Sequence, residues 1–311
     1  MVTFSSLLKT SSRKSVLVTG CDLYAGYTIA KDLLQHRGKH FEHVYAAHFM
    51  DNDLVRRLVD KGAECVKLQI ADGIDSIAEA YRKADVVVVV PPVSDDHWGQ
   101  DSCVYVHAAA KAGVKGLALC SKINAAKMCK LPMLKPLHEM EKAFEEVKGK
   151  VEVASLMRCS LHIDVLWLFR AQIASKREIC LSADAGAKFA PLVAADAARA
   201  MCHMLIDPNI PEGVYELTGP EKLDFKAVAH HAAKQIGEDI SYKQINRKEM
   251  EQFLKEKIGM CDCHIAFIGD MLEALSMGLL DKHTEDLEEL LGKKPMSVKK
   301  YLEKNANDFK P

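Results

Sequence analysis

The chain has 311 residues, 49% of them hydrophobic, and its 42 basic and 43 acidic side chains leave a formal net charge of -1. That length exceeds one average domain, and the apolar fraction suffices for a substantial core. There is no basic surplus for a broad nucleic-acid footprint, and no apolar run approaches the ~20 residues of a membrane helix, so neither nucleic acid nor membrane is an expected partner. Ten scattered cysteines, most within apolar runs, read as small core residues in a reducing compartment. Cytoplasmic placement follows as the expectation, with the nucleus also open.

Residues 1–14 are rich in Ser and basic side chains and read as a tail. Ser15–Gly20 (SVLVTG) is a strand ending in glycine, and Ile29, Leu33 and Leu34 mark one face of the following helix. His43–Phe49 and Glu64–Ile70 read as the second and third strands, each followed by an amphipathic helix. Asp85–Val90 (DVVVVV) has no polar face, which fits a parallel strand covered on both sides; Pro91 and Pro92 stop it. A helix from about 100 to Gly113, a strand at Lys115–Ser121, a helix at Leu134–Lys148 and a strand at Val151–Met157 complete the series. Beyond Arg158 helices dominate, with short strands near Glu178–Leu181 and Gly213–Leu217; residues 224–309 read as almost wholly helical.

Strands alternating with helices at this spacing give an α/β fold: a doubly wound parallel Rossmann sheet with a smaller, helix-rich C-terminal domain. The expected boundaries are a tail at 1–14, a Rossmann domain at 15–160, and a substrate or partner domain at 161–311, with about 190–206 returning to the first domain. Ligands of such sheets sit beyond the carboxyl ends of the strands. That singles out Gly20–Gly26, Phe49–Asp51, Gln69–Asp72, Pro91–Asp96 and Ser121–Ala125.

Val18–Gly26 follows a strand and opens a helix, as a loop that cradles a pyrophosphate does. Gly20 permits the tight turn and Gly26 the close helix–sheet approach, whereas Leu23 stands where a middle glycine lets the backbone reach the phosphates. Asp22 places a negative charge beside them. A dinucleotide site and a Rossmann-like fold whose site is weakened are both consistent with that loop. At the second strand end, Asp51 suits a ribose 2′-hydroxyl, and His48 or Arg56 a 2′-phosphate; a plain helix-capping role for Asp51 or Asn52 is the other reading. The sequence leaves NAD against NADP open.

The chain resembles the NmrA-like family of atypical short-chain dehydrogenases/reductases over essentially its whole length. The residues that carry the resemblance are VLVTG at Val16–Gly20, GAECV at Gly62–Val66, AAAKAGVKGLALCS at Ala108–Ser121, PLVAADAARA at Pro191–Ala200, YELTGPEKLDF at Tyr215–Phe225 and LLGKKPMSVKKYLEKNANDF at Leu290–Phe309. The resemblance implies NAD(P)(H) as cofactor. It implies either a reductase for quinones and other small molecules, or a non-catalytic redox sensor that binds a transcription factor or another regulatory protein; a homodimer is compatible with both. The residues it implies for the cofactor are Gly20, Asp22, Leu23, Tyr24, Ala25 and Gly26 in the loop, and His48 and Phe49 at the second strand, Phe49 standing where many relatives carry an arginine for NADP. Gln69 and Ile70 fall beside adenine, Pro91 and Pro92 along the nicotinamide ribose, and Ser121 on the fifth strand, with His138 on the helix beyond.

The Tyr-x-x-x-Lys pair of conventional short-chain dehydrogenases is absent from Leu131–Glu141. His138 is then the candidate acid–base group, able to bond a ribose hydroxyl or protonate a reduced oxygen, a plain surface or half-buried helix histidine being the other reading; Ser121 is the candidate to orient a carbonyl, or else simply ends a strand in a turn. Glu141 reads as a structural partner. Trp98, after Asp95, Asp96 and His97, suits either stacking on a planar substrate or core packing. Cys261, Cys263 and His264 lack the spacing of a metal site, and no metal is expected.

Overall fold

The computed structural model describes residues 2–93, 98 and 102–310. The strands are β1 (Ser15–Val18), β2 (His43–His48), β3 (Glu64–Lys67), β4 (Val86–Val89), β5 (Gly116–Lys122), β6 (Val153–Cys159), β7 (Glu178–Leu181), β8 (Val214–Leu217) and β9 (Ser241–Gln244). Seven form a parallel sheet in the order β3-β2-β1-β4-β5-β6-β8, the reversal at β1/β4 marking a doubly wound topology. β1 and β4 are buried along their whole length, which explains why neither shows a polar face. β3, at the sheet edge, alternates between half-buried and exposed residues.

The helices are α1 (Phe4–Thr10), α2 (Tyr24–Leu34), α3 (Asp53–Val59), α4 (Gly73–Tyr81), α5 (Val104–Ala112), α6 (Ala125–Met128), α7 (Lys135–Val147), α8 (Arg170–Lys176), α9 (Ala194–Ile206), α10 (Phe225–Ile236), α11 (Arg247–Phe253), α12 (Asp262–Ser276), α13 (Asp286–Leu291) and α14 (Val298–Lys304). Two compact units result. Met1–Arg158 with Ala197–Tyr215 make the first, Cys159–Asp196 with Glu216–Pro311 the second. α5 stops at Gly113, whose φ of 69° gives the left-handed turn that glycine adopts without strain.

The N-terminal segment corrects an expectation. It is not a loose tail: Thr3 and Ser6 form a reciprocal capping box, and Phe4, Leu7 and Leu8 lie on one buried face of α1. The Phe4 ring rests on Gly116, leaving no room for a Cβ there, with Val86 alongside. The i, i+3, i+4 spacing of three apolar residues was the signal, hidden among serines and lysines. A second correction concerns residues 224–309, where β9 pairs in parallel with β7. Its side chains are mostly exposed, so it carries no apolar pattern to distinguish it from a helix face.

At the amino end of the sheet, Asp85 ties β4 to β1. Its carboxylate accepts from the Ser15 amide (3.0 Å) and hydroxyl (2.8 Å), and the Ser15 hydroxyl accepts from the Asp85 amide. Burial pushes the Asp85 carboxyl up, but bonds from Ser11 and Ser15 and the nearby Arg13 hold it below its ordinary value. At the carboxyl end the Thr19 hydroxyl bridges β1 to β4, donating to the Val90 carbonyl (2.9 Å) and accepting from its amide (2.8 Å). This second clamp fixes the floor of the ligand end.

Candidate functional site

All the candidate cofactor residues belong to the first unit and lie at or beyond strand ends, with His138 on α7. The loop from β1 to α2 is set by two glycines. Gly20 has φ of 63°, and the Leu23 amide donates to its carbonyl at 3.0 Å, closing the turn. A Cβ on Gly26 would stand 2.1 Å from the Gly20 carbonyl oxygen and 2.7 Å from that of Thr19. Backbone meets backbone there, so no side chain is tolerated. Cys21 is buried, its thiol donating to the Val18 carbonyl at 3.2 Å; burial and then the Asp22 charge push the thiol up, so it stays protonated and inert.

Leu23 is the N-cap of α2 and supplies no side-chain acceptor, and the first turn carries no acid. The positive end of an eleven-residue helix therefore meets the loop with no cap from Leu23 and no acid in its own first turn. Leu23 costs the close approach a glycine would allow, but brings no side-chain acceptor of its own to compete with a phosphate. The loop fits a pyrophosphate group on these grounds.

Asp22 turns its side chain to the end of β2 and is only 4% exposed. One carboxylate oxygen accepts from the Phe49 amide (3.2 Å), the other from the Met50 amide (3.3 Å), and the Asp22 carbonyl accepts from the Asn52 side-chain amide (2.8 Å). Asn52 also caps α3 through the Leu54 and Val55 amides. The two loops are thereby sewn together from within. The Phe49 ring is buried edge-on to Tyr105, with centroids 5.4 Å apart. His48 is buried too, its Nδ1 3.7 Å from an Asp51 carboxylate oxygen and without a hydrogen-bond partner. Asp51 itself is exposed and paired with Lys67 at 3.3 Å, while Arg56 pairs with Asp53 at 3.1 Å. At the end of β3 the Gln69 side chain is exposed and Ile70 buried.

Past β4, Pro91 is half-buried and Pro92 and Val93 are buried. Asp95, Asp96 and His97 lie outside the described residues. Trp98 is buried, and its indole N–H donates to the Met133 carbonyl at 3.1 Å, so the ring is held as a packed side chain.

Ser121, near the end of β5, is buried and donates to a Glu141 carboxylate oxygen at 2.6 Å. Glu141 on α7 is 6% exposed and is gripped by Arg158 of β6 through three bonds: Nε to the two oxygens at 3.1 and 3.2 Å, and Nη2 to Oε2 at 2.7 Å. Pro136 opens α7, where its lost amide costs nothing. Three residues before Glu141, and so on the same face, His138 is half-buried with a buried Nδ1 that has no partner. Lys135 pairs with Glu139 at 3.3 Å. Ser121 and His138 are thus brought to one helix, Ser121 already engaged and His138 carrying an unmet polar atom. Arg158 escaped the sequence reading; its signal was a lone cation in the apolar strand VEVASLMRC, matched by a lone acid on the buried face of α7.

In the second unit, Trp167 is largely exposed beneath the Arg170 guanidinium, 4.3 Å from the ring centroid, and Phe169 stacks on Phe253. Asp164 accepts from the Ala194 amide at 2.8 Å; burial, with the charge of Asp196, pushes its carboxyl up to about 6 against that bond. The Cys261 sulfur lies 3.4 Å from His264 Nδ1, and among the described residues no group of three His, Cys, Asp or Glu is arranged to hold a metal. No helix among them is long and apolar enough to cross a membrane.

The NmrA-like family model matches residues 12–302. The Prestalk A differentiation protein A of Dictyostelium discoideum is 22% identical over 105 residues, 34% of this chain and 35% of that protein, so the match spans about a third of the relative's length. Among solved structures, the NADPH-dependent quinone oxidoreductase of Escherichia coli in complex with NADPH superposes with a TM-score of 0.75 at 18% identity, covering 94% of this chain and 98% of that one. The Citrobacter sp. triphenylmethane reductase complexed with NADP(H) gives the same TM-score and identity, covering 94% and 99%. At these identities the structures speak for the fold.

Proposed function

The chain belongs to the NmrA-like family, and on that premise we propose that it binds a nicotinamide dinucleotide, NAD(P)(H), at the carboxyl ends of β1, β2 and β4 and reduces a small, flat, electron-poor acceptor of the quinone type. The observation that carries this reading is the β1–α2 loop. A backbone contact that admits only Gly26 brings the positive end of α2, with no acid in its first turn and no cap from Leu23, to the place where a pyrophosphate is neutralised. Two similar folds are named for NADPH or NADP(H), one as a quinone and one as a triphenylmethane reductase.

When bound, the dinucleotide supplies the hydride. The backbone of Gly20 and of Tyr24–Gly26 would hold its phosphates, Gln69 and Ile70 would flank the adenine, and Pro91 and Pro92 would border the nicotinamide ribose. Ser121 cannot give its proton away freely, because Glu141 holds it at 2.6 Å. It positions by its oxygen lone pairs, as an acceptor. His138 is half-buried, with an Nδ1 that has no partner among the described residues; its imidazole is the group suited to a ribose hydroxyl or to protonating a reduced oxygen. A quinone asks little of an acid, because its reduced oxygens take protons from water, so orientation supplies most of the acceleration.

The test is loss of reduced-nicotinamide absorbance when the purified protein meets a panel of quinones and cationic dyes. Turnover that falls at least about tenfold in His138→Ala, with nucleotide affinity retained, fits the reading. Tight nucleotide binding without turnover across the panel removes the reductase. It favours instead a sensor whose oxidised and reduced ligands bias a surface for a regulatory protein, a reading supported by Ser121 and Glu141 being spent on each other and on Arg158.

A further inference from the structure

We propose that this chain selects the dinucleotide without a 2′-phosphate, NAD(H), and that Asp22 sets the choice; this rests on the dinucleotide reading above. A 2′-phosphate carries nearly two negative charges and needs donors at the end of the second strand, where the adenosine ribose lies. Successive backbone amides form such an anion nest. In this chain the two successive amides on offer, Phe49 and Met50, are already taken by the two oxygens of Asp22 at 3.2 and 3.3 Å. A fixed negative charge, buried and tied down further by Asn52, stands where the partners of a phosphate would be.

Among the described residues, the nearby cations Lys67 and Arg56 are engaged with other carboxylates. Phe49 has no charge and its ring is packed on Tyr105. Lys67 is paired with Asp51, Arg56 with Asp53, and His48 is buried behind Asp51. Arg57 is exposed on the last turn of α3. What faces the ribose is the exposed carboxylate of Asp51, an acceptor for its 2′- and 3′-hydroxyls. Two carboxylates against one paired lysine repel a 2′-phosphate and welcome a diol. The preference is opposite to that named for the two solved folds.

Calorimetric titration of the full chain with NADH, NAD, NADPH and NADP tests this. NADH is expected to bind at least about tenfold more tightly than NADPH. Asp22→Asn keeps the size and one acceptor but frees the Met50 amide and removes the charge. It should tighten NADPH at least about threefold and change NADH by less than that factor, narrowing the ratio. A loop-shaping role alone would weaken both nucleotides together and leave the ratio unchanged, which would overturn the assignment to Asp22. Should Asp22→Asn not fold, as judged by its circular dichroism, Asp51→Asn on the exposed side chain should still weaken NADH and lower the ratio; no change there overturns the proposal. NADPH binding more tightly than NADH to the unmodified chain refutes this inference and leaves the dinucleotide reading standing. Binding of none refutes both.

Discussion

Replacing Arg158 by Met tests the buried polar network that holds Ser121. Methionine follows the path of the arginine stem but makes none of the three bonds to Glu141. The Glu141 carboxylate, 6% exposed, would keep only the Ser121 hydroxyl. Stranding one partner of a fully buried ion pair costs about 3–5 kcal/mol. The Arg158 side chain is 30% exposed, so water can enter the vacated space and the low end applies. The expected loss is about 2–3 kcal/mol, roughly a 4–9 °C fall in melting temperature. Much of this is the penalty of an unpaired charge, so adding Glu141→Gln to Arg158→Met should recover at least about half. Melting curves of the two single variants and the double variant form the cycle. An Arg158→Met cost below about 0.5 kcal/mol, or a double variant no better than the single, would show that the pair is solvated and that Ser121 is not held as described.

Gly26→Ala forces a Cβ to within 2.1 Å of a backbone oxygen; it should abolish measurable nucleotide binding in calorimetry and destabilise the first unit by about 3 kcal/mol or more, whereas near-normal affinity would sink the phosphate-loop reading. Phe4→Ala removes a fully buried ring from α1 and should cost about 3–5 kcal/mol in denaturant titrations, a result that a loose tail could not give. Asp164, with a folded pKa of about 6 against about 3.9 unfolded, binds its proton more tightly when folded. Its contribution is therefore complete below pH of about 4 and lost as pH rises through about 6. Asp164→Asn still accepts from the Ala194 amide, and should flatten that decline and gain about 1–2 kcal/mol at neutral pH, read from melting across the pH range; an unchanged slope would rule the side chain out as its source.

The parts of the fold that were legible in the sequence are those where one physical demand dominates. Val86–Val89 needed covering on both faces and said so by lacking any polar residue. Gly20 and Gly26 were legible because a positive φ and a backbone contact leave no alternative. β9 was hidden because an exposed, polar two-stranded pairing is decided by its partner, not by its own pattern. The packing of α1 was hidden for a related reason: its polar residues form a cap and an outward face, and the composition of the segment obscured its spacing.

The site divides along the same line. Residue types announced the strand-end positions, but the direction in which each side chain turns depends on which donors lie within reach. Asp22, read along the chain, is a charge beside phosphates. In three dimensions the neighbouring strand presents two unpaired amides, and a carboxylate can satisfy both. Glu141 likewise becomes intelligible only beside Arg158, seventeen residues away. Both acids do work that would otherwise fall to a ligand or to water: one fills an anion nest, the other neutralises a half-buried cation and holds a hydroxyl. On the proposed reading, the β1–α2 loop would take the pyrophosphate while the donors for a second anion are closed from within by Asp22. The proposed discrimination between dinucleotides would then turn on which backbone amides a neighbouring carboxylate has taken, a property that no single residue in the sequence displays.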